Sequence, residues 1–307
     1  MDAHDRRHAL GLVVFIGTAW GLTYALYPVG LREAGPLWLA ALRFDAFCLG
    51  AFAACWVVDK GVRAPTTARD FAAIATYAGL NITLHNLATI GGSAHVPVAV
   101  VGIMAGLTPL LTAGLAPMLL PDQRPGKRLL LGLLVGFLGI VVLMLSRGGS
   151  GTQFSAWTFI VFAGFVAWAL GSVLVKASHS TLPSLSIGFW ASLASIAVLQ
   201  PLALTETAPV PSLTLAGTVL FIGLVGGVGG FVAWMRLVRR YGPAQASLPS
   251  FVSPAIASLA AVFFVGQPLG WGHLLAYILV AGGLGLAARD LMATPGKVPV
   301  ATPAELA

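Results

Sequence analysis

Few residues in this chain have side chains that could do chemistry, and most of those few stand inside apolar runs. Asp45 sits in the run ALRFDAFCLG, with Arg43 two residues before it. A charge at the centre of a membrane helix costs about 2.5–3.5 kcal/mol on insertion scales, so each one needs a reason to be there. Two positions apart on a helix, the two side chains project to nearly opposite faces and do not pair directly. For Arg43, nearer one membrane surface, snorkelling as a structural anchor competes with contact to a substrate. For Asp45, the only acid within a predicted span, proton relay or cation coordination competes with a hydrogen bond to a neighbouring helix. Asn81 and His85 are spaced i, i+4 and share one face, with Asn86 beside them. An intramembrane His either titrates near neutral pH or hydrogen-bonds across helices, and we place this pair facing a cavity. No cluster of Cys, His and carboxylate at ligand spacing accompanies it, so neither a metal site nor a cofactor is expected.

Aromatic residues form the second set. Trp20, Thr23, Tyr24 and Tyr27 recur at helical spacing, and Trp168 and Ser172 share a face further on. Both tryptophans fall near the middle of their runs, away from the interfacial belts that Trp favours. As walls of a substrate pocket they could stack on a ring or take a cation face-on, and as ordinary packing they would fill space between helices. Pro109 and Pro254 stand in mid-segment, where each removes a backbone hydrogen bond. They are either hinges for a conformational change or static bends, with Thr108 and Ser253 placed to serve the freed backbone. The pairs Gly132/Gly136, Gly223/Gly227 and Gly226/Gly230 suit close helix contact within one chain. Tyr241 and Gln245 read as an inner gate or as an ordinary helix start.

These residues require apolar helices to hold them. Of 307 residues, 58% are hydrophobic and 9% charged, and the mean hydropathy is +0.91. Soluble domains carry about 25% charge, so the bilayer is the expected solvent. The net charge of +7 comes with no basic stripe interleaved with aromatics, which excludes a nucleic-acid partner. Cys48 and Cys55 are roughly 10 Å apart along one helix, too far for a disulfide, and read as packing residues. Arg6 and Arg7 precede a run too long for a cleaved signal, so a retained first helix is expected.

Ten spans are predicted, at 10–30, 36–58, 71–91, 96–118, 127–146, 156–177, 183–204, 213–235, 244–265 and 270–288, each near the ~20 residues that cross a bilayer. Alternate loops divide the basic residues unequally. One side takes Arg6, Arg7, Lys60, Arg63, Arg69, Arg124, Lys127, Arg128, Lys176, Arg236, Arg239, Arg240, Arg289 and Lys297, and the other only Arg32 and Arg147. By the positive-inside rule both termini are cytoplasmic.

The chain also repeats itself. Pro109 and Pro254 lie 145 residues apart, as do Asp122 and Gln267 in two corresponding turns, and Ala19-Trp20-Gly21-Leu22 is echoed by Ala167-Trp168-Ala169-Leu170. With five spans per copy, the second copy enters the membrane inverted, an arrangement that recurs in secondary transporters with a binding site near the midplane. The expected divisions are a tail at 1–9, a first five-helix repeat at 10–146, a periplasmic linker at 147–155, a second repeat at 156–288 and a tail at 289–307.

WGLTYALYPVGLREAGPLWLAALRF, the segment GLTPLLTAGLAPMLL, and YGPAQASLPSFVSPAIASLAAVFFVGQPL before a Gly-rich last helix resemble, in order and duplication, the EamA family of the drug/metabolite transporter superfamily. The Gly-Glu that commonly closes the fourth and ninth helices stands here as Pro121-Asp122 and Gly266-Gln267. The resemblance spans essentially the whole chain. It implies an all-α protein of ten transmembrane helices in the inner membrane that moves small metabolites, often amino acids and often outward.

The expected substrate site comprises Trp20, Tyr24, Asn81, His85, Trp168 and Ser172, with Arg43 and Asp45 as intramembrane charges and Pro109 and Pro254 as hinges. Large apolar or aromatic amino acids suit that lining. A facilitator and a proton antiporter acting through Asp45 or His85 both stand open, and so does a proton-coupled exporter of organic cations that depends on Asp45. The expected partners are a small-molecule substrate and membrane lipid, in a monomer or weak homodimer. An intramembrane hydrolase or a scaffold is the reading from a different class. One intramembrane Asp excludes aspartyl chemistry, and no Gly-x-Ser-x-Gly or His-Glu-x-x-His motif is present.

Overall fold

The computed structural model describes residues 3–92, 95–96, 98–146, 156–265 and 270–291. The Gly266-Gln267 turn, the 147–155 linker and the tail beyond 291 lie outside the described residues. Among those residues the regular structure is all helix, in ten long helical segments and one four-residue turn of helix. They are α1 (Ala3–Glu33), α2 (Pro36–Val58), α3 (Ala68–Thr76, Tyr77–Leu84 and His85–Gly92 in line), α4 (Val98–Leu119), α5 (Lys127–Ser146), α6 (Ala156–Ala177), α7 (Ser184–Ala203), α8 (Leu213–Leu220, Phe221–Gly229 and Gly230–Tyr241 in line), α9 (Pro249–Val265) and α10 (Trp271–Leu291). Six are long and apolar enough to cross a membrane, and Met104–Leu119 and Trp271–Ala287 are shorter apolar stretches. Large apolar side chains such as Leu49, Leu138 and Ile278 point outward and are exposed, as a lipid-facing surface requires.

Local chemistry sets the ends. Pro36 opens α2 in the first turn, where the missing N–H has no partner to lose. Thr67 and Asp70 form a reciprocal capping box at the start of α3, and Ser212 caps α8 through Leu215 N at 3.0 Å. The sequence places the end of α8 at 235, but the helix continues to Tyr241. Its last turns are amphipathic: Trp234, Leu237 and Val238 are buried while Arg236 and Arg240 are exposed, so the basic cluster rides on the helix and does not end it. Gly242 then breaks it at φ 98°, where a side chain would be strained. A single turn, Pro243–Ala246, precedes α9, which begins at Pro249 and not near 244.

Two helices contain π-helical stretches, Tyr77–Leu84 in α3 and Phe221–Gly229 in α8. Such wide turns offset backbone carbonyls from the regular ladder and occur often at functional sites. The Gly-rich sequence FIGLVGGVG and the Gly230 that follows it let α1 and α2 come close: a Cβ on Gly223 would stand 2.8 Å from the Arg43 carbonyl oxygen, and one on Gly230 2.6 Å from Trp20 Nε1.

The main packing partners are α5 with α10, α2 with α7, α1 with α9, α4 with α6, α1 with α8, α3 with α6, α2 with α8 and α3 with α7. Exchanging each helix for the one five places away returns the same set of pairs. The α5–α10 seam is made by small residues, since a Cβ on Gly283 would lie 2.6 Å from Gly132 O and 2.7 Å from Gly136 Cα. Gly132 and Gly136 are thus spent on packing within the chain.

Candidate functional site

A cavity opens where α1, α2, α3, α4, α6, α8 and the start of α9 converge. Its volume is about 60 Å³, room for a few waters at roughly 10–15 Å³ each. The helices must therefore part for a larger molecule to enter.

Aromatic rings form its walls. Trp20 of α1 meets Trp168 of α6 edge-on at 5.5 Å between centroids, and His85 of α3 lies 5.1 Å from Trp168 and 5.2 Å from Phe165. On the other side Phe47, Phe231 and Tyr77 continue the surface, with Phe231 4.6 Å from Tyr77. Behind this wall Trp234 packs against the rings of Trp168 and Tyr77. Edge-to-face pairs at these separations contribute about 0.5–1.5 kcal/mol beyond burial, so the wall is a preformed and stiff surface.

The polar atoms are fixed by backbone. Trp20 donates from Nε1 to Gly226 O in the π stretch of α8 at 3.1 Å, and Asn81 donates from Nδ2 to Trp168 O at 3.1 Å. His85 Nδ1 lies 3.0 Å from Gly164 O. A carbonyl only accepts, so Nδ1 carries the proton, and in the neutral ring Nε2 is left as an acceptor. Asn86 donates from Nδ2 to Ile82 O at 2.7 Å, which turns its Oδ1 toward Arg43; Arg43 Nη1 donates to that oxygen at 2.9 Å and also to the Tyr27 hydroxyl. The guanidinium carbon lies 5.2 Å from the Phe44 ring centroid and 5.8 Å from that of Tyr27. Arg43 Nε is buried without a hydrogen-bond partner.

Of the residues expected to form the site, Trp20, Tyr24, Asn81, His85, Trp168 and Arg43 line this cavity, joined by Thr23, Tyr27, Asn86 and Thr108, which the sequence also singled out. Ser172 does not line it: the hydroxyl is buried and donates to Trp168 O of its own helix at 2.7 Å. Asp45 turns the other way and accepts from Gln200 Nε2 of α7 at 2.6 Å. Pro109 and Pro254 stand inside the continuous helices α4 and α9, and Ser253 donates to Pro249 O at 2.9 Å, one residue short of the carbonyl that Pro254 frees. α1 approaches this turn closely, where a Cβ on Gly21 would lie 2.6 Å from Ser253 O.

Sequence reasoning missed Tyr77, Phe165 and Phe231, which look like ordinary core aromatics, and Gln200, which has no local partner. It also missed two polar clasps at the membrane ends. Glu206, between α7 and α8, accepts from Leu37 N at 3.0 Å and Trp38 N at 3.2 Å, the exposed amides at the start of α2. At the opposite end Asp70 accepts from the Ser180 hydroxyl at 2.6 Å and from Thr67 N at 3.1 Å. Asp70 stands before the expected span, and the hydroxyl of Ser180, followed by that of Thr67, holds its carboxyl down at about 2. Thr67-Ala68-Arg69-Asp70 is a legible capping pattern, whereas the Ser180 contact has no sequence signal.

Comparison with known proteins agrees with this architecture. The chain is 28% identical over 291 residues to the uncharacterized inner membrane transporter YedA of Escherichia coli K12, covering 92% of this chain and 91% of the relative. It is 26% identical over 292 residues to a "Probable amino-acid metabolite efflux pump" of Salmonella typhimurium (89% and 92% covered), and 25% identical over 285 residues to a "Probable terminal-alkyne amino-acid exporter" of Streptantibioticus cattleyicolor (91% of each). A solved crystal structure shares the fold with a TM-score of 0.73 at 22% identity, over 91% of this chain and 98% of that one. The EamA-like transporter family matches residues 8–145 and 155–289, and the chain belongs to that family.

Proposed function

We propose that this protein is an inner-membrane carrier that moves amino acids and related metabolites, large apolar and aromatic ones first, by alternating access around the cavity. The observation that carries the reading is the composition of the cavity wall: α1 to α4 contribute Trp20, Arg43, His85 and Thr108, while α6, α8 and α9 contribute Trp168, Gly226 and Ser250. A pocket shared between two sequence halves opens to one side or the other when the halves rock. The packing pairs, unchanged when each helix is exchanged for the one five places away, support two equivalent halves; their inversion follows in this reading from the five spans in each half. Pro109 and Pro254, one in each half, serve as the bends about which α4 and α9 move. Both termini are cytoplasmic in this reading, from the distribution of Lys and Arg.

The relatives named for amino-acid efflux support the substrate class and the outward direction. The cavity itself opposes an organic cation, which would meet the Arg43 guanidinium and no acid among the lining side chains. Asp45, engaged with Gln200 outside the cavity, is a structural contact of α2 and α7 in this account. A facilitator is accordingly preferred to a proton-coupled exporter.

Flux into liposomes containing the purified protein tests the proposal. With labelled phenylalanine, leucine and an organic cation, amino-acid entry that ignores an imposed pH gradient is expected. Cation entry driven by the gradient and abolished by Asp45→Asn would overturn it.

A further inference from the structure

We infer that Arg43 is the receptor for a carboxylate on the transported molecule, so that the cavity selects acids, with or without an amino group, over their amides and amines. The inference rests on the carrier reading and names the chemistry of its site.

A guanidinium stays protonated in proteins, and a half-buried charge among apolar helices is stabilised most by a partner of opposite sign. Arg43 has none among the described residues. Its recorded partners are the neutral oxygens of Tyr27 and Asn86 and the faces of the Tyr27 and Phe44 rings, and Nε is buried without any partner. Among the described residues no side chain lining the cavity is Asp or Glu. The acid closest in sequence, Asp45, is directed away and held by Gln200. The cavity is thus a socket with one fixed positive charge, awaiting an anion.

The form of the socket points to a carboxylate. A guanidinium is a planar fork that meets a carboxylate with two parallel hydrogen bonds. Its plane is held in place: Asn86 is pinned by Ile82 O and Tyr27 packs edge-on against Tyr24 at 5.8 Å, so both neutral acceptors are fixed before a ligand arrives. An ammonium finds no acid among the lining side chains, only aromatic faces and neutral acceptors such as Asn81 Oδ1, which are weaker partners for a cation than a carboxylate. The amino group of an amino acid therefore adds less than the carboxylate does, and a deaminated acid of the same shape still binds.

Calorimetric titration of the purified protein in detergent tests this with four ligands of one shape: L-phenylalanine, 3-phenylpropanoate, L-phenylalaninamide and phenethylamine. The two acids are expected to bind about 10- to 100-fold more tightly than the amide and the amine, the range for a hydrogen-bonded charge pair. In Arg43→Gln the preference falls to within about threefold, and Arg43→Lys keeps part of it, since a point charge lacks the fork. The wild-type ratio alone carries the test should a variant fail to fold. Amide and amine binding as tightly as the acids, acid preference surviving in Arg43→Gln, or no acid binding at all would each overturn the inference. Should the amine bind and cross liposomes as readily as phenylalanine, the carrier reading stands and the receptor falls. Arg43-dependent acid binding without any flux leaves the receptor standing and removes the carrier reading.

Discussion

Replacing one of two adjacent glycines in α10 separates packing from helix propensity. Gly283 faces α5: an added Cβ would lie 2.6 Å from Gly132 O and 2.7 Å from Gly136 Cα, distances that real Cβ atoms do not adopt. The obstacles are backbone atoms, so no side chain can swing aside and the two helices must separate. Gly282, its neighbour, has nothing within 4 Å of the same position among the described residues. Both substitutions to Ala gain the same helix propensity, about 1 kcal/mol. Their difference is therefore the overpacking cost alone, which we place at the upper end of the usual 1–3 kcal/mol, about 3 kcal/mol. Gly283→Ala is then destabilising by about 2 kcal/mol, and Gly282→Ala is neutral or stabilising by up to about 1 kcal/mol. Equilibrium unfolding in mixed detergent micelles, with the two variants measured side by side, reads this directly. Equal stability of the two variants would refute the close α5–α10 seam.

Other consequences follow from the clasps and the wall. Asp70 has a carboxyl held at about 2 against an ordinary 3.8, so its contribution to stability is full above about 4 and fades as pH falls toward 2. Acid unfolding followed by tryptophan fluorescence should show that slope in the wild type and a flatter one in Asp70→Asn. Glu206→Ala removes the acceptor for Leu37 N and Trp38 N and should cost about 0.5–2 kcal/mol in thermal or denaturant unfolding, the range for a lost helix cap; no change would show the clasp to be idle. Trp168→Ala strips the ring that meets Trp20, His85 and Trp234, and should lower aromatic amino-acid flux at least tenfold while leaving the protein folded by circular dichroism. Asp45→Asn, outside the cavity, should leave that flux within about twofold of wild type, because Gln200 can hydrogen-bond either side chain.

Hydropathy made the ten helices legible, since a bilayer demands long apolar runs whose ends are marked by charge, Pro and Gly. Spans such as 127–146 and 156–177 match the helices to the residue. The π stretches were not legible, because YAGLNITL and FIGLVGGVG read as regular helix, while their close approach to α6 and α1 is a tertiary feature. Within the site, residue type pointed to Trp20, His85, Trp168 and Arg43, because polar and bulky aromatic groups stand out in an aliphatic run. Direction was harder. Arg43 and Asp45 lie two positions apart, yet one turns to Asn86 in the cavity and the other to Gln200 at the rim of α7, choices made by helices about 40 and 155 residues away. Clasps such as Glu206 on α2 and Ser180 on Asp70 are long-range pairings of ordinary polar residues, and no local pattern encodes them.

The central claim is that one cavity, closed at any moment to at least one side, carries the substrate. Counterflow tests it most directly: liposomes loaded with unlabelled phenylalanine, diluted into a trace of labelled phenylalanine, report exchange through a site that binds on one face and releases on the other. The account predicts transient accumulation of label above equilibrium, saturable by external phenylalanine and lost in Trp168→Ala. Label that merely equilibrates, linearly with concentration and equally in the variant, would contradict a carrier built around this cavity.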